Sequence, residues 1–349
     1  MLQTNVSRFL VLTGLLVTGL FGLGSFCGAQ ESPTKPAKNL VPQAKHKAKA
    51  RPAAAVLVGA GDIAGCADLS GAVATAKLIE KIPGTVFAAG DLAYEKGTAE
   101  EFRDCYGRAW GRFKDRTRPV PGNHEYIQDP TPYFQYWGPV AGQPGKGYYS
   151  YELGAWHIIV LNTNCFVTVL GGCGKNSPEE VWLRKDLAAH PNVCTLAYSH
   201  QALFSSGMIA SHAMHPELRE FWRDLYAAHV DIFLAGHEHS YERFAPQDPD
   251  GRLDKANGIR EIVVGTGGKS HTMLGIPQPN SEVRNDITYG VLKMTLSARN
   301  YKWEFIPVAG DSFRDSGKGA CHNQLPSAAG SAAPAGGIGA PVSEIKIPQ

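Results

Sequence analysis

The stretch AVLVGAGDIAGC, Ala55–Cys66, admits two readings, and the choice between them decides the fold. An apolar run ending in Gly59-Ala60-Gly61-Asp62-Ile63-Ala64 matches the G-x-G-x-x-G/A turn that brings a dinucleotide pyrophosphate against the backbone. The same letters place a carboxylate, Asp62, at the end of a buried strand, where it can ligate a metal. The dinucleotide reading requires a helix opening at the third glycine position and an acidic residue about 20 residues on, at the end of the second strand. Neither is present: Gly65-Cys66-Ala67-Asp68-Leu69-Ser70-Gly71 is rich in turn formers, and Glu80 falls inside the helical pattern that follows. Thr266-Gly267-Gly268-Lys269-Ser270 is a second decoy. A phosphate-binding loop needs Gly five residues before Gly268, where Val263 stands, so this stretch reads as a Gly-rich turn between strands.

The strand-then-polar pattern of the opening stretch recurs. Val86 to Ala89 leads to Gly90-Asp91, Pro119 to Pro121 leads to Gly122-Asn123-His124-Glu125, and Thr195 to Tyr198 leads to Ser199-His200. Ile232 to Leu234 leads to Gly236-His237-Glu238-His239. Between these runs lie helical patterns at Ala72 to Lys81, Pro178 to Ala189 and Pro216 to Ala228, the second with Ser177 as a cap and proline at its first position. After His239 the chain turns β-rich, with strands expected over Ile259 to Val264, Gly290 to Thr295 and Lys302 to Phe305. Tyr148 to Leu153 and Trp156 to Leu161 read as a hairpin turning at Gly154. The mixture predicts an α/β fold, a four-layer sandwich of two mixed β-sheets flanked by helices, in one domain over residues 55–322. Ligands in such sheets bind at the strand ends.

Both ends of the 349-residue chain differ from this body. Residues 1–29 carry one charge, Arg8, then an apolar run from Phe9 to Leu23 and small residues around Gly28-Ala29, the layout of a secretory signal. The alternative is an uncleaved membrane anchor. Residues 30–54 form a Pro/Lys/Ala-rich linker, and residues 323–349, mostly Ala, Gly, Pro and Ser, read as a disordered tail. The linker sets Lys35, Lys38, Lys45, Lys47, Lys49 and Arg51 against Glu31 alone, so the body of a chain with net charge +2 is slightly acidic. That argues against a nucleic-acid-binding surface. The expected location is secreted or periplasmic, with no stable membrane span after signal cleavage. Oligomeric state is not legible.

Without Cys27, six cysteines remain, an even number that fits an exported, oxidised protein. Six cysteines allow 15 pairings, and sequence alone does not choose among them. Cys165 and Cys173 flank the Gly171-Gly172 loop and make the favoured pair; Cys66 with Cys105 would tie two neighbouring strand-end loops, leaving Cys194 with Cys321.

Singly, each polar cluster has an ordinary explanation: Asp62 a helix cap, Asn123 a turn residue, His200 a core histidine. Together, five strand ends deliver Asp, Asp, Asn, His and a His-x-His pair, and oxygen donors mixed with imidazoles suit transition metals rather than calcium. Enough ligands are present for two ions if one carboxylate bridges.

These residues, with Asp91-Leu92-Ala93-Tyr94 and the Ser240-Tyr241-Glu242-Arg243 that follows His239, resemble the ordered motifs of the calcineurin-like metallophosphoesterases, and more narrowly the purple acid phosphatases. Tyr94 carries the distinction. The wider superfamily has Asp there and an Asp-x-His first motif; here that motif is Asp62-Ile63-Ala64, and Tyr94 stands in for the missing histidine. The resemblance implies that Asp62, Tyr94 and His239 hold ferric iron with Asp91 bridging. It implies that Asn123, His200 and His237 complete a second site for Fe(II), Zn(II) or Mn(II). A small-molecule phosphate monoester would be hydrolysed by water activated on the metal pair. His124 would stabilise the phosphoryl oxygens or protonate the leaving group, and His212, in the loop Ser205 to Met214, would line the mouth ahead of His215. Glu125, Glu238 and Tyr241 would pack around the ligands. Gln201, where relatives often have His, and the lack of the N-terminal module of the plant enzymes leave other readings open. These are a phosphodiesterase or nucleotidase on the same metal core, and a non-catalytic, metal-dependent cell-surface binding module.

Overall fold

The computed structural model describes residues 54–322, apart from 168–169, 192–193 and 209–213. The signal-like segment, nearly all of the linker, the tail and His212 lie outside the described residues. In the first sheet, β1 (Ala55–Ala60), β3 (Thr85–Ala89) and β5 (Thr117–Val120) run parallel. β13 (Gly290–Ser297), β14 (Asn300–Pro307) and β15 (Asp315–Ala320) join antiparallel, giving the order β15-β14-β13-β1-β3-β5.

The second sheet contains β6 (Tyr149–Leu153), β7 (Trp156–Val160), β8 (Cys194–Tyr198), β9 (Ile232–Ala235), β10 (Tyr241–Phe244), β11 (Arg260–Val264) and β12 (Ser281–Asn285). Its order is β12-β10-β11-β9-β8-β7-β6, with β7, β8, β9 and β11 parallel and the rest antiparallel. Both sheets are mixed, as expected. A two-residue pair, β2 (Ala64–Gly65) with β4 (Ala93–Tyr94), sits beside them.

The layering follows from residue alternation along strands buried on both faces. Ile158, Val160, Leu196, Tyr198, Ile232, Leu234, Ile262 and Val264 pack with Leu57, Val86 and Phe87 of the first sheet. Their neighbours Ile159, Ala197, Phe233 and Val263 turn the other way, onto Leu183, Phe221 and Trp222 of the helices Pro178–Ala189 and Arg219–Ala227. The helix Ser70–Glu80 joins the first core through Ala72, Ala76 and Ile79. The Ser177 side chain accepts from the Glu180 amide and caps the helix Pro178–Ala189 at the expected residue. Among the described residues no helix is long and apolar enough to cross a membrane.

Five strands escape the sequence pattern: the two-residue β2 and β4, and β10, β12 and β15. β15, Asp-Ser-Gly-Lys-Gly-Ala, has neither β-branched residues nor alternation of apolar side chains. Its glycines lie flat on neighbouring aromatics; a Cβ on Gly317 would come within 2.2 Å of Trp303, and one on Gly319 within 2.3 Å of Tyr301. The disulfides are Cys66–Cys105, Cys165–Cys173 and Cys194–Cys321, the favoured set. Cys105 sits in the helical turn Phe102–Tyr106 and not, as expected, in a strand-end loop.

Candidate metal centre

The carboxyl ends of parallel strands from both sheets converge on one point. Asp62 follows β1, Asp91 follows β3, Gly122-Asn123 follows β5, His200 follows β8 and His237 follows β9. Asp62, Asp91 and His237 each turn sharply, with φ of 61°, 52° and 70°. Non-glycine residues seldom hold that left-handed conformation unless surrounding bonds fix it. Here Asp62 N donates to Gly90 O at 3.0 Å, Ile63 N to Asp91 O at 2.9 Å, and His237 N to Asp62 Oδ2 at 2.7 Å. The approach is too close for a side chain at Gly122: a Cβ there would lie 2.1 Å from Asp91 Oδ1.

Two groups of donor atoms result. In the first, Tyr94 Oη lies 2.9 Å from Asp62 Oδ1, 3.0 Å from Asp91 Oδ2 and 3.1 Å from His239 Nε2. In the second, His200 Nε2 lies 3.0 Å from Asn123 Oδ1, 3.1 Å from His237 Nδ1 and 3.3 Å from Asp91 Oδ2. Asp91 Oδ2 belongs to both. Asp91, His200 and His237 each offer a ligand atom within 4.8 Å of the other two. All seven residues proposed from the sequence as ligands therefore meet here.

The donor chemistry fits a cation in each group. The Ala89 carbonyl can only accept, so His200 Nδ1, 2.9 Å away, carries a proton. The Nε2 lone pair of a neutral His200 then faces oxygen and nitrogen lone pairs, an arrangement that needs a proton or a metal between them. A proton fills that role in the chain alone: burial works to lower the His200 pKa, but Asp91 and Asp62 outweigh it and raise it to about 9. Burial likewise works to raise Asp91, while His200, His124 and His237 hold it far below the usual carboxylate range. Tyr94 is pushed well above the ordinary phenol value by burial and then by Asp62 and Asp91, so only a cation in the same space could stabilise its phenolate. Phenolate and carboxylates around one group, imidazoles and an amide around the other, suit a harder and a softer ion.

The surrounding residues have assignable tasks. Glu125 is fully buried and accepts from the amides of Asp91, Leu92, Ala93 and Gly122 at 2.7 to 3.3 Å, tying the β3 and β5 loops together. Burial, then Asp91, raises its pKa to about 7. His124 donates its Nδ1 proton to Glu95 O at 2.6 Å, which leaves Nε2 facing Asp91 Oδ2 at 3.8 Å.

Two neighbours were not legible. Ser270 Oγ lies 2.7 Å from His239 Nδ1, the Lys269 amide donates to Asp62 O at 3.0 Å, and the Lys269 ammonium sits 4.8 Å from the centre of the Tyr94 ring while pairing with Glu95. The Gly-Gly-Lys-Ser stretch is thus a turn that walls the centre. Its one sequence signal was the glycine pair, which allows close approach. At the mouth the structure presents His215: its ring packs edge-on to His237 at 5.3 Å, Nδ1 is held by Glu217 at 2.9 Å, and the buried Nε2 has no hydrogen-bond partner among the described residues.

Residues 57–241, more than half of the chain, match the calcineurin-like phosphoesterase family model, and the chain belongs to that family. Its curated relatives include purple acid phosphatase 23 of Arabidopsis thaliana, 27% identical over 48% of this chain and 43% of that protein. They also include an acid phosphatase of Aspergillus ficuum, 25% identical over 48% and 36%. The chain spans less than half the length of either relative. Among solved structures, the purple acid phosphatase PPD1 of yellow lupin (Lupinus luteus) seeds has the same fold, with a TM-score of 0.61 at 20% identity over 76% of this chain and 53% of that one. So does GAP50, described as the anchor in the inner membrane complex of Plasmodium, at 0.60 and 15% identity over 77% and 89%.

Proposed function

We propose that the chain is an exported phosphatase of the purple acid phosphatase type, hydrolysing phosphate monoesters at a dinuclear metal centre in a catalytic domain over residues 55–322. The observation that carries this reading is the placement of Tyr94 Oη within 3.1 Å of Asp62, Asp91 and His239. Asp62, Tyr94 and His239 would hold a ferric ion, Asn123, His200 and His237 a divalent iron, zinc or manganese, with Asp91 shared. When bound, the pair would neutralise phosphate charge and acidify the attacking water. Asp91 is fixed for the shared position by the His124 amide on Oδ1 at 2.9 Å and by Glu125 on its own amide at 3.0 Å. Ser270 holds the His239 ring, and Ala89 holds that of His200, so that Nε2 of each faces inward.

His124 is placed to move a proton. With Nδ1 committed to the Glu95 carbonyl, Nε2 is the atom that can carry a proton to the departing alkoxide. His212 remains proposed as a second mouth residue. Three disulfides in the body support export to an oxidising compartment.

The test is turnover of p-nitrophenyl phosphate against bis(p-nitrophenyl) phosphate after reconstitution with iron and zinc or manganese. Preferential monoester hydrolysis is expected, falling by 10²–10⁴ in His124→Ala. Preference for the diester would reassign the chain to phosphodiesterases. No turnover of either would favour a binding module, a use of the fold that the anchor GAP50 illustrates.

A further inference from the structure

The turn that walls the metal centre also sets a charge against one of the candidate ligands. Tyr94 belongs to the short parallel pair β2–β4, where its cross-strand partner is Gly65. With no side chain at Gly65, the Lys269 chain fills that space: a Cβ there would lie 2.8 Å from Lys269 Cδ and 3.1 Å from its Nζ. The ammonium therefore reaches the Tyr94 ring from beside that residue's own main chain, 4.8 Å from the ring centre, and pairs with Glu95, the next residue along. Tyr94 Oη, at the opposite end of the ring, faces Asp62, Asp91 and His239. We propose that Lys269 is a positioning residue of the metal centre whose ammonium, set over the Tyr94 ring, tunes the electron donation of the Tyr94 phenolate to a ferric ion. This rests on the ferric-tyrosinate reading given under Proposed function.

The lysine is held at both ends. Its amide donates to Asp62 O at 3.0 Å, which fixes its main chain to a second candidate ligand, and its side chain is 18% exposed. A cation within about 6 Å of an aromatic ring centre is attracted by the π face, and the attraction grows when the ring carries the charge of a phenolate. Glu95 does not cancel this field at the ring: its side chain is 61% exposed, so water screens the carboxylate more than the ammonium. The same residue anchors the other group that borders the ring. His124 packs against Tyr94 at 4.4 Å and 53°, with its Nδ1 donating to Glu95 O at 2.6 Å. Charge transfer from a phenolate to a ferric ion moves an electron off the ring. A positive charge nearer the ring than the ion holds that electron back and raises the energy of the transition. An ion meets the phenolate through Oη, the end of the ring away from Lys269, so loss of the ammonium lowers the transition energy.

The test compares the full chain and three variants, each loaded with iron and zinc, by visible absorption with elemental analysis of the same samples. Lys269→Met keeps the stem and removes the charge, and its charge-transfer band is expected at longer wavelength than that of the wild type. Lys269→Arg keeps a cation over the ring and should hold the band at the wild-type position. Glu95→Gln removes the counter-charge at an exposed side chain and should move the band to shorter wavelength, which tests the same field if Lys269→Met fails to hold iron. An unmoved band in Lys269→Met or Glu95→Gln with iron bound, or the same shift in Lys269→Met and Lys269→Arg, would overturn the proposal and leave Tyr94 a ligand. A wild type that binds iron without the band would overturn the ferric-tyrosinate reading and this proposal with it.

Discussion

Tyr94 Oη stands 2.9 Å from Asp62 Oδ1, closing a gap of 32 residues and joining the β1 end to the β3 end. The phenol is fully buried among carboxylates that oppose its ionisation, so it gains little from this position unless a cation shares the space. Tyr94→Phe keeps the ring and its volume, and stability should change by less than about 1.5 kcal/mol. The expected loss is in the metal. The visible charge-transfer band that a ferric tyrosinate would give the wild type should be missing from the variant and its iron content should be lower, read by absorption and elemental analysis. An unchanged spectrum would remove Tyr94 from the ligand set.

Gly122 tests the geometry without replacing a ligand. An alanine Cβ would lie 2.1 Å from Asp91 Oδ1 and 2.4 Å from Asp91 N, so the strand-end loops must part and the carboxylate must move off the position shared by both donor groups. Gly122→Ala should lower kcat at least 100-fold, because a displacement near 1 Å already costs that much. Circular dichroism should stay native. Full activity would mean that Asp91 need not sit where it does.

How much of this was legible follows from where the physics is local. Strand ends, helix caps and six of the candidate ligands could be read because each carries its signal within a few residues, an apolar run broken by a turn and then a polar side chain; Tyr94 was reached only through the family resemblance. Ser270 and Lys269 could not, since their roles arise from β11 lying beside β9 and from a turn folding over Asp62, relationships that no local spacing records. His215 was ranked below His212 for the same reason. Only the fold reveals that Glu217 orients it and that His237 faces it. β15 was hidden because its pairing rests on glycines packed against Trp303 and Tyr301, not on β-forming side chains.

The three disulfides should differ in worth. They close 127, 39 and 8 residues of separation for Cys194–Cys321, Cys66–Cys105 and Cys165–Cys173. On chain entropy the longest contributes about 4–5 kcal/mol, and each shorter loop contributes less. Double serine variants of each pair should lose denaturant midpoint in that order. A reversed order would show that native contacts, not loop closure, set their contributions.

Asp231 predicts a pH dependence away from the metal centre. Its carboxylate is buried beside the Cys194–Cys321 bond and accepts from Thr195 N at 2.9 Å and His322 N at 2.7 Å. Burial raises its pKa to about 7, against the lowering effect of those two amides. The His322 ring, 3.3 Å from Oδ1, has its own pKa lowered chiefly by burial. Below about pH 4 both folded and unfolded chains hold the Asp231 proton. Between there and about pH 7 the unfolded chain releases it while the folded chain retains it, so this group's contribution to stability is lost as pH rises through that window. The slope should approach 1.4 kcal/mol per pH unit. Asp231→Asn cannot ionise; it leaves one of the two amides without an acceptor, a cost of about 1–3 kcal/mol that does not vary with pH. Urea unfolding from pH 4.5 to 8 should therefore show the wild type's advantage over the variant shrinking and then reversing as pH rises, and parallel curves would rule out ionisation of Asp231 as the cause.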